Sequence, residues 1–295
     1  MVSCRVMRLM RTSLLFVTAS LWAQDFSKIQ IEKAAGGYTF TEGPAWSREG
    51  GLYFSDVPAN RIYKLTLGEP PAVFRDASNG ANGNTFDSQG RLLTCESKSR
   101  RVTRTDKSGK VEVLADKFEG KRLNAPNDIV ARRDGNIYFT DPAFGTQATG
   151  RELDFYGIYR ILSNRTLELV AKTTGRPNGI ALSPKGDKLY VADSDERLIR
   201  VFDVDRAGKV SNEQVLISNI DGPPDGIRTD EKGNIWVACN LVSVYSAAGQ
   251  PVGKIELGEK PRNLSFGEPD LQTLFITAFT SVYRVRLDVK GVVAY

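Results

Sequence analysis

One sequence unit recurs six times along the chain, and this repeat restricts the fold more than any other feature. Each copy has a small or polar turn, an apolar strand, an Asp/Gly-type turn and a second strand rich in aromatic and β-branched residues. A third strand-like run follows each copy. The copies are "EGPAWSREGGLYFSD", "NGNTFDSQGRLLTCE", "PNDIVARRDGNIYFTD", "PNGIALSPKGDKLYVAD", "PDGIRTDEKGNIWVAC" and "PRNLSFGEPDLQTLFITA".

The spacing of these copies is typical of propeller blades. Alignment of the hydrophobic positions puts six residues in one register: Gly43, Gly83, Asn127, Asn178, Asp225 and Arg262. Their steps of 40, 44, 51, 47 and 37 residues match blade lengths, and the strand pattern excludes helical solenoids. The sequence therefore predicts an all-β, six-bladed β-propeller with four-stranded antiparallel blades around a central channel. We expect residues 28–34, "KIQIEKA", to close the ring as the outer strand of the sixth blade.

The first residues have the order of a secretory signal peptide. Three arginines precede an uncharged run from Thr12 to Ala23, which is too short to span a bilayer as a helix. We expect residues 1–23 to be the signal and residues 24–295 to form one domain, with an uncleaved anchor as the alternative. The predicted location is the periplasm or the exterior, and we expect no membrane span after signal removal.

Charge and composition exclude several functional classes. Removing the three signal arginines from the 40 basic residues leaves 37 against 35 acidic ones, a formal charge of +2, which argues against a nucleic-acid partner. The chain has no histidine, so Ser-His-Asp and Cys-His catalysis and His-ligated zinc are excluded. Cys95 and Cys239 lie in apolar runs, and we favour two buried free thiols over a disulfide. The sequence leaves the oligomeric state open.

The shared register predicts where polar side chains converge. The first strand of a propeller blade is innermost, so residues in the shared register converge on the channel axis. Asn127, Asn178 and Asp225 occupy this register, and Glu42 lies one residue before it in the first copy. Two carboxylates and two amide oxygens form a hard-oxygen set that suits Ca²⁺ or Mg²⁺. The alternative is that each is an ordinary turn residue.

A second set of acids ends the second strand of four copies. Because that strand runs antiparallel to the first, its end returns to the same face of the ring. We expect these acids to surround the mouth of the channel, where they either contact substrate or cap turns. They are Asp56, Glu96, Asp141 and Asp193.

Several motifs resemble those of the SMP-30/gluconolactonase family, especially its bacterial gluconolactonases. They are "TEGPAW", "KRLNAPNDIV", "IYFTDPAFG", "RPNGIALSP" and "PDGIRTDEKGNIWVA", and the resemblance covers essentially the whole mature chain. It implies a six-bladed propeller that hydrolyses sugar lactones and related esters with a bound divalent cation. Ca²⁺ is the expected ion, with Mg²⁺, Mn²⁺ and Zn²⁺ as alternatives.

The resemblance also implies roles for individual residues. Matched motif by motif, it selects the same four metal ligands, Glu42, Asn127, Asn178 and Asp225, and makes Asp225 the candidate general base. It places Arg122, Asp128 and Phe144 at the substrate pocket, to which we add Asp141 and Asp193 from the second set of acids. Asp128, Asp141 and Asp193 are the alternative bases.

We therefore predict a metal-dependent hydrolase that takes a small lactone or ester, most directly a sugar lactone. A non-catalytic exported propeller that holds a small ligand or a protein partner is the alternative from another class, because fold alone does not exclude it.

Overall fold

The computed structural model describes Phe26 and residues 28–293 as an all-β chain. Six four-stranded antiparallel sheets follow one another around a ring, which confirms the predicted six-bladed propeller. The predicted signal peptide, residues 1–23, lies outside the described residues, so it stays a prediction.

In the first three blades the strands follow chain order from the channel outwards. The first blade comprises Thr41–Trp46, Leu52–Asp56, Arg61–Leu65 and Ala72–Arg75. The second comprises Ala81–Phe86, Leu92–Glu96, Arg101–Thr105 and Val111–Ala115. The third comprises Ile129–Ala131, Ile137–Asp141, Tyr156–Ile161 and Leu167–Thr173. A two-stranded hairpin, Lys117–Phe118 and Lys121–Arg122, connects the second and third blades.

The last three blades repeat this order, with one exception in the sixth. The fourth comprises Pro177–Leu182, Lys188–Asp193, Leu198–Val204 and Val210–Ile217. The fifth comprises Ile227–Thr229, Ile235–Ala238, Val242–Tyr245 and Pro251–Ile255. The sixth comprises Pro261–Gly267, Thr273–Ala278, Ser281–Arg286 and, as its outer strand, Ile31–Gly36.

The outer strand of the sixth blade closes the ring. Ile31–Gly36 pairs antiparallel with Ser281–Arg286, so the last blade joins both ends of the propeller. This confirms the predicted closure, although the strand begins three residues later and ends two residues later than expected. At the same junction Trp46 stacks on Phe275, with ring centroids 5.4 Å apart, and packs the first blade against the sixth.

The repeated Asp/Gly turns join the two inner strands of a blade. In the fifth blade the Oδ1 atom of Asp230 accepts hydrogen bonds from the backbone N–H groups of Lys232 and Asn234, at 3.0 and 2.9 Å. Gly233 adopts a φ of 82°, a left-handed conformation that favours glycine. The following strand, Ile235–Ala238, is buried throughout, because neighbouring blades cover both of its faces.

The two described cysteines do not form a disulfide. Cys95 and Cys239 are buried free thiols, which confirms the favoured alternative. Within the described residues no helix has the length and apolar character needed to cross a bilayer.

Candidate metal and substrate site

A cavity of about 300 Å³ opens at one end of the central channel. The four predicted metal ligands all contribute to its wall. Its lining residues are Phe40, Glu42, Asn82, Asn127, Phe144, Arg176, Asn178, Ser194, Asp195, Pro223, Asp225 and Arg262.

Each blade contributes to this cavity one residue that lies at the start of its inner strand or two residues before it. These six equivalent residues, called here the channel ring, are Glu42, Asn82, Asn127, Asn178, Asp225 and Arg262. In four blades the residue before the ring position pairs with the end of the second strand, as in Thr41 with Asp56 and Pro177 with Asp193. In the third and fifth blades the ring residue itself donates its N–H to that strand, from Asn127 to Thr140 and from Asp225 to Ala238.

The channel ring corrects the predicted register in the first two blades. Glu42 and Asn82 are the equivalent residues there, rather than Gly43 and Gly83, because Thr41 pairs with Asp56 and Ala81 with Glu96, just as Pro177 pairs with Asp193. Asn82 is therefore a ring residue that the sequence analysis missed. It could have been found by placing Glu42 in the ring and counting 40 residues forward.

Glycines beside the ring let the inner strands of adjacent blades approach closely. The N–H of Gly179 donates to the carbonyl of Asp225 at 3.1 Å, and the N–H of Gly226 donates to the carbonyl of Arg262 at 2.8 Å. A Cβ atom at Gly179 would lie 2.2 Å from the Asp225 carbonyl oxygen, well inside contact distance. These contacts fix the positions of neighbouring ring residues along the channel axis.

Hydrogen bonds orient the Asn178 amide towards the cavity. Its Nδ2 donates to the Oγ atom of Ser194 at 3.0 Å, and this hydroxyl donates in turn to the Pro224 carbonyl at 2.7 Å. The Oδ1 atom of Asn178 is buried and has no hydrogen-bond partner among the described residues, and the same holds for Oδ1 of Asn82. Because buried polar atoms are normally paired, two such oxygens on one cavity indicate a ligand that accepts their lone pairs.

The two carboxylates of the ring repel each other. Burial, then the charge of Asp225, raises the pKa of Glu42 well above its usual value, although Oε2 of Glu42 accepts the N–H of Gly43 at 3.0 Å. Burial raises the pKa of Asp225 to about 6, against the opposing effect of the Arg262 guanidinium. Ionising both acids is therefore costly unless a cation lies between them.

This donor set fits a hard divalent cation. The two carboxylates and the amide oxygens that have no hydrogen-bond partner are the kinds of oxygen ligand that Ca²⁺ prefers. The open cavity leaves room for water or substrate. Among the described residues no group of three or more acidic or cysteine side chains could hold a metal ion. The channel ring is not a group of this kind, because asparagine amides supply two of its four predicted ligands.

An aromatic and charged wall flanks the ring. Arg176 and Asp195 form a bidentate ion pair, with Nε of Arg176 2.9 Å from Oδ2 of Asp195. The guanidinium of Arg176 lies over the ring of Phe144, 4.5 Å from its centroid. Phe144 thus lies at the cavity, where the sequence analysis placed it.

Asp128 lies below the cavity rather than on its wall. Its carboxylate is buried between the inner strands, where Oδ2 accepts the N–H of Ile180 and a hydrogen bond from Nη1 of Arg228, both at 3.3 Å. Arg228 also lines a second, smaller cavity at the opposite end of the channel. Asp128 does not line the main cavity, and its Oδ1 atom is buried without a hydrogen-bond partner among the described residues.

Asp141 and Asp193 also differ from the predicted substrate contacts. The Asp141 carboxylate accepts the backbone N–H groups of Asn124 and Ala125, both at 2.8 Å, and burial raises its pKa to about 7. The Asp193 carboxylate accepts backbone N–H groups in the turn that follows it, and burial raises its pKa. Neither lines the cavity, and the backbone N–H groups that each accepts are what the turn-capping alternative predicts.

The other two acids of this set are structural as well. Asp56 accepts the N–H groups of Thr39 and Phe40, at 3.0 and 3.1 Å, and Glu96 pairs with Arg75 and Arg101.

Arg122 lies outside the cavity. It belongs to the short hairpin between the second and third blades, where its exposed side chain pairs with Glu152. The structure therefore brings together Phe144 and the four predicted ligands, and places the other four predicted substrate residues elsewhere.

Comparison with known proteins agrees with the fold and identifies the family. The family model described as the SMP-30/Gluconolactonase/LRE-like region matches residues 40–280. The chain belongs to this family. A gluconolactonase from Zymomonas mobilis subsp. mobilis is 31% identical over 293 residues, covering 88% of this chain and 82% of the relative.

Two solved structures extend the comparison. A gluconolactonase from Xanthomonas campestris superposes with a TM-score of 0.84 at 32% identity, covering 91% of this chain and 93% of the other. A calcium-binding protein, regucalcin, from Agrobacterium tumefaciens gives a TM-score of 0.74 at 20% identity, covering 87% and 95%, which shows a common fold.

Proposed function

We propose that this member of the family is a metal-dependent hydrolase of small lactones, with sugar lactones as the principal substrates. The observation that carries the proposal is the channel ring, which gathers two carboxylates and partnerless amide oxygens at one cavity. Gluconolactonases that match most of this chain at 31 and 32% identity support the substrate class.

Glu42, Asn127, Asn178 and Asp225 are the residues that would hold the metal. Ca²⁺ is the proposed ion because the donors are carboxylate and amide oxygens, and the regucalcin with the same fold is a calcium-binding protein. When bound, a divalent cation supplies Lewis acidity that stabilises negative charge on the carbonyl oxygen of a lactone. The neutral Asn82 amide remains as a further oxygen donor on the cavity wall.

Asp225 is the proposed general base. Its carboxylate lies on the cavity wall, where it would take a proton from a water that attacks a bound lactone. The water oxygen bonds to the carbonyl carbon, the ring C–O bond breaks, and the ring oxygen takes up the proton. Ring opening thus yields a hydroxy acid, whose carboxylic proton passes to solvent.

The flanking wall suits a small polyhydroxylated ring. Phe40 and Phe144 present aromatic surface, and the ion pair of Arg176 and Asp195 offers donors and acceptors for hydroxyl groups. We also propose export to the periplasm or the exterior, on the basis of the signal-like residues 1–23.

A substrate screen tests the proposal. Purified mature protein is assayed with a pH indicator against aldonolactones, other lactones and aryl esters, with divalent metals added singly after chelation. We expect metal-dependent hydrolysis of aldonolactones above the spontaneous rate. No hydrolysis of any lactone or ester with any metal would contradict the proposal and favour the non-catalytic binding protein.

A further inference from the structure

Arg262 is the basic member of the channel ring, and most of its hydrogen-bonding capacity is unused. Its guanidinium lies between two aromatic rings, 4.0 Å from the centroid of Phe279 and 4.9 Å from that of Phe40. Its contact with Asp225 is long, at 3.5 Å between Nη1 and Oδ2. Its Nε atom is buried and has no hydrogen-bond partner among the described residues.

The other arginines near the channel are paired with their own acids. Arg176 forms a bidentate pair with Asp195, and Arg228 pairs with Asp128 below the cavity. Arg262 instead shares Asp225 with the proposed metal site. Its guanidinium therefore differs from the other two because it lines the main cavity without an acid of its own.

The charged groups on the cavity wall, together with the proposed metal ion, have a net charge of +1. This step rests on the proposed function, in which a divalent cation neutralises Glu42 and Asp225. The pair of Arg176 and Asp195 is neutral in itself. The positive charge of Arg262 then has no counterpart on the cavity wall, and this suits a bound species with one negative charge.

We propose that Arg262 receives the carboxylate that forms when the lactone ring opens. A lactone is neutral and its hydroxy acid product carries one negative charge, so the reaction itself supplies the anion. A guanidinium fork matches the two oxygens of a carboxylate, and the flanking phenyl rings hold its plane in a fixed orientation. Arg262 is thus a specificity residue that favours the acid product, and lactones bearing a second acid group, over neutral polyols.

Calorimetric titration of the Ca²⁺-loaded protein tests this without measuring turnover. The two probes are gluconate and glucitol, which differ in having a carboxylate or a CH₂OH group at C1. We expect wild type to bind gluconate about 10-fold to 100-fold more tightly, because hydrogen bonds to charged groups are stronger than neutral ones. Arg262→Gln should remove most of this preference and leave glucitol binding nearly unchanged.

Two further variants separate a direct contact from the overall charge. Arg176→Gln makes the same change in net charge on the same cavity wall, so it should retain the preference for gluconate. Arg262→Lys keeps the charge but loses the planar fork, so its preference should lie between those of wild type and Arg262→Gln. If Arg262→Gln does not fold, a reduced preference in Arg262→Lys is the required result.

Three results would overturn the assignment: equal binding of both probes by wild type, a full preference in the Arg262 variants, or an equal loss in Arg176→Gln. If the protein hydrolyses lactones but its preference for gluconate over glucitol does not depend on Arg262, this inference is contradicted and the proposed function stands. Arg262-dependent gluconate binding without hydrolysis of any lactone would contradict the proposed function and retain the anion site.

Discussion

Ser194→Ala tests whether the orientation of the Asn178 amide determines metal affinity. The Ser194 hydroxyl accepts from Nδ2 of Asn178 and donates to the Pro224 carbonyl, at 3.0 and 2.7 Å. Its removal leaves a buried N–H and a buried C=O unpaired, at a cost of about 1–3 kcal/mol each in the free energy of unfolding. The amide can then rotate, so its oxygen is no longer held towards the cavity.

We expect Ser194→Ala to bind Ca²⁺ about 10-fold to 100-fold more weakly, the usual effect of losing a residue that orients a metal ligand. Calorimetric titration of the chelated protein measures this affinity, and denaturation in EDTA measures the accompanying loss of stability. Ser183→Ala is the matched control, because Ser183 is a buried residue of the same blade whose hydroxyl hydrogen-bonds Asp187 at 2.7 Å, away from the cavity. It should lose stability but not Ca²⁺ affinity, and wild-type Ca²⁺ affinity in Ser194→Ala would refute the reasoning.

Three other predictions concern the ring and its closure. At saturating Ca²⁺, Asn178→Ala should regain most of the lactone hydrolysis rate. Asp225→Asn should stay slow, because excess cation does not replace a base. Wild-type turnover in Asp225→Asn would show that Asp225 is only a metal ligand. In EDTA the raised pKa of Asp225, about 6, stabilises the fold fully below about pH 4, and this contribution is lost as the pH rises through 6. Denaturant unfolding should therefore show Asp225→Asn gaining stability relative to wild type over this range, and a pH-independent difference would contradict it. Deleting Ile31–Gly36 should uncover the edge of Ser281–Arg286 and cause aggregation in light scattering, and a soluble, equally stable truncated protein would refute the closure.

The fold and the convergence of the four predicted ligands on one cavity were accessible from the sequence, because both depend on a repeat. Six copies of one strand pattern predict six blades, and a shared register predicts which residues face the channel. The predicted register was wrong by one residue at Gly43 and Gly83. Strand pairing sets Thr41 opposite Asp56 and Ala81 opposite Glu96, and alignment of hydrophobic positions alone does not show this pairing. As a result, the sequence analysis did not assign Asn82 to the channel ring.

The substrate residues were less accessible, because their role depends on partners that are distant in sequence. Asp141 and Asp128 are acids next to the channel, yet one is bound by backbone N–H groups and the other by Arg228, 100 residues away. Arg262 was aligned in the predicted register but given no role. Its importance follows from two aromatic rings and an unsatisfied Nε, which no sequence pattern encodes.

The metal dependence of lactone hydrolysis tests the central claim most directly. Initial rates on glucono-lactone are measured after complete chelation and again during a Ca²⁺ titration, with wild type and Glu42→Gln side by side. The account predicts no enzymatic rate without metal, full recovery on adding Ca²⁺, and a titration shifted to higher Ca²⁺ in Glu42→Gln, which loses one of the two ring carboxylates. A chelated wild-type protein that hydrolyses the lactone at its full rate would contradict it.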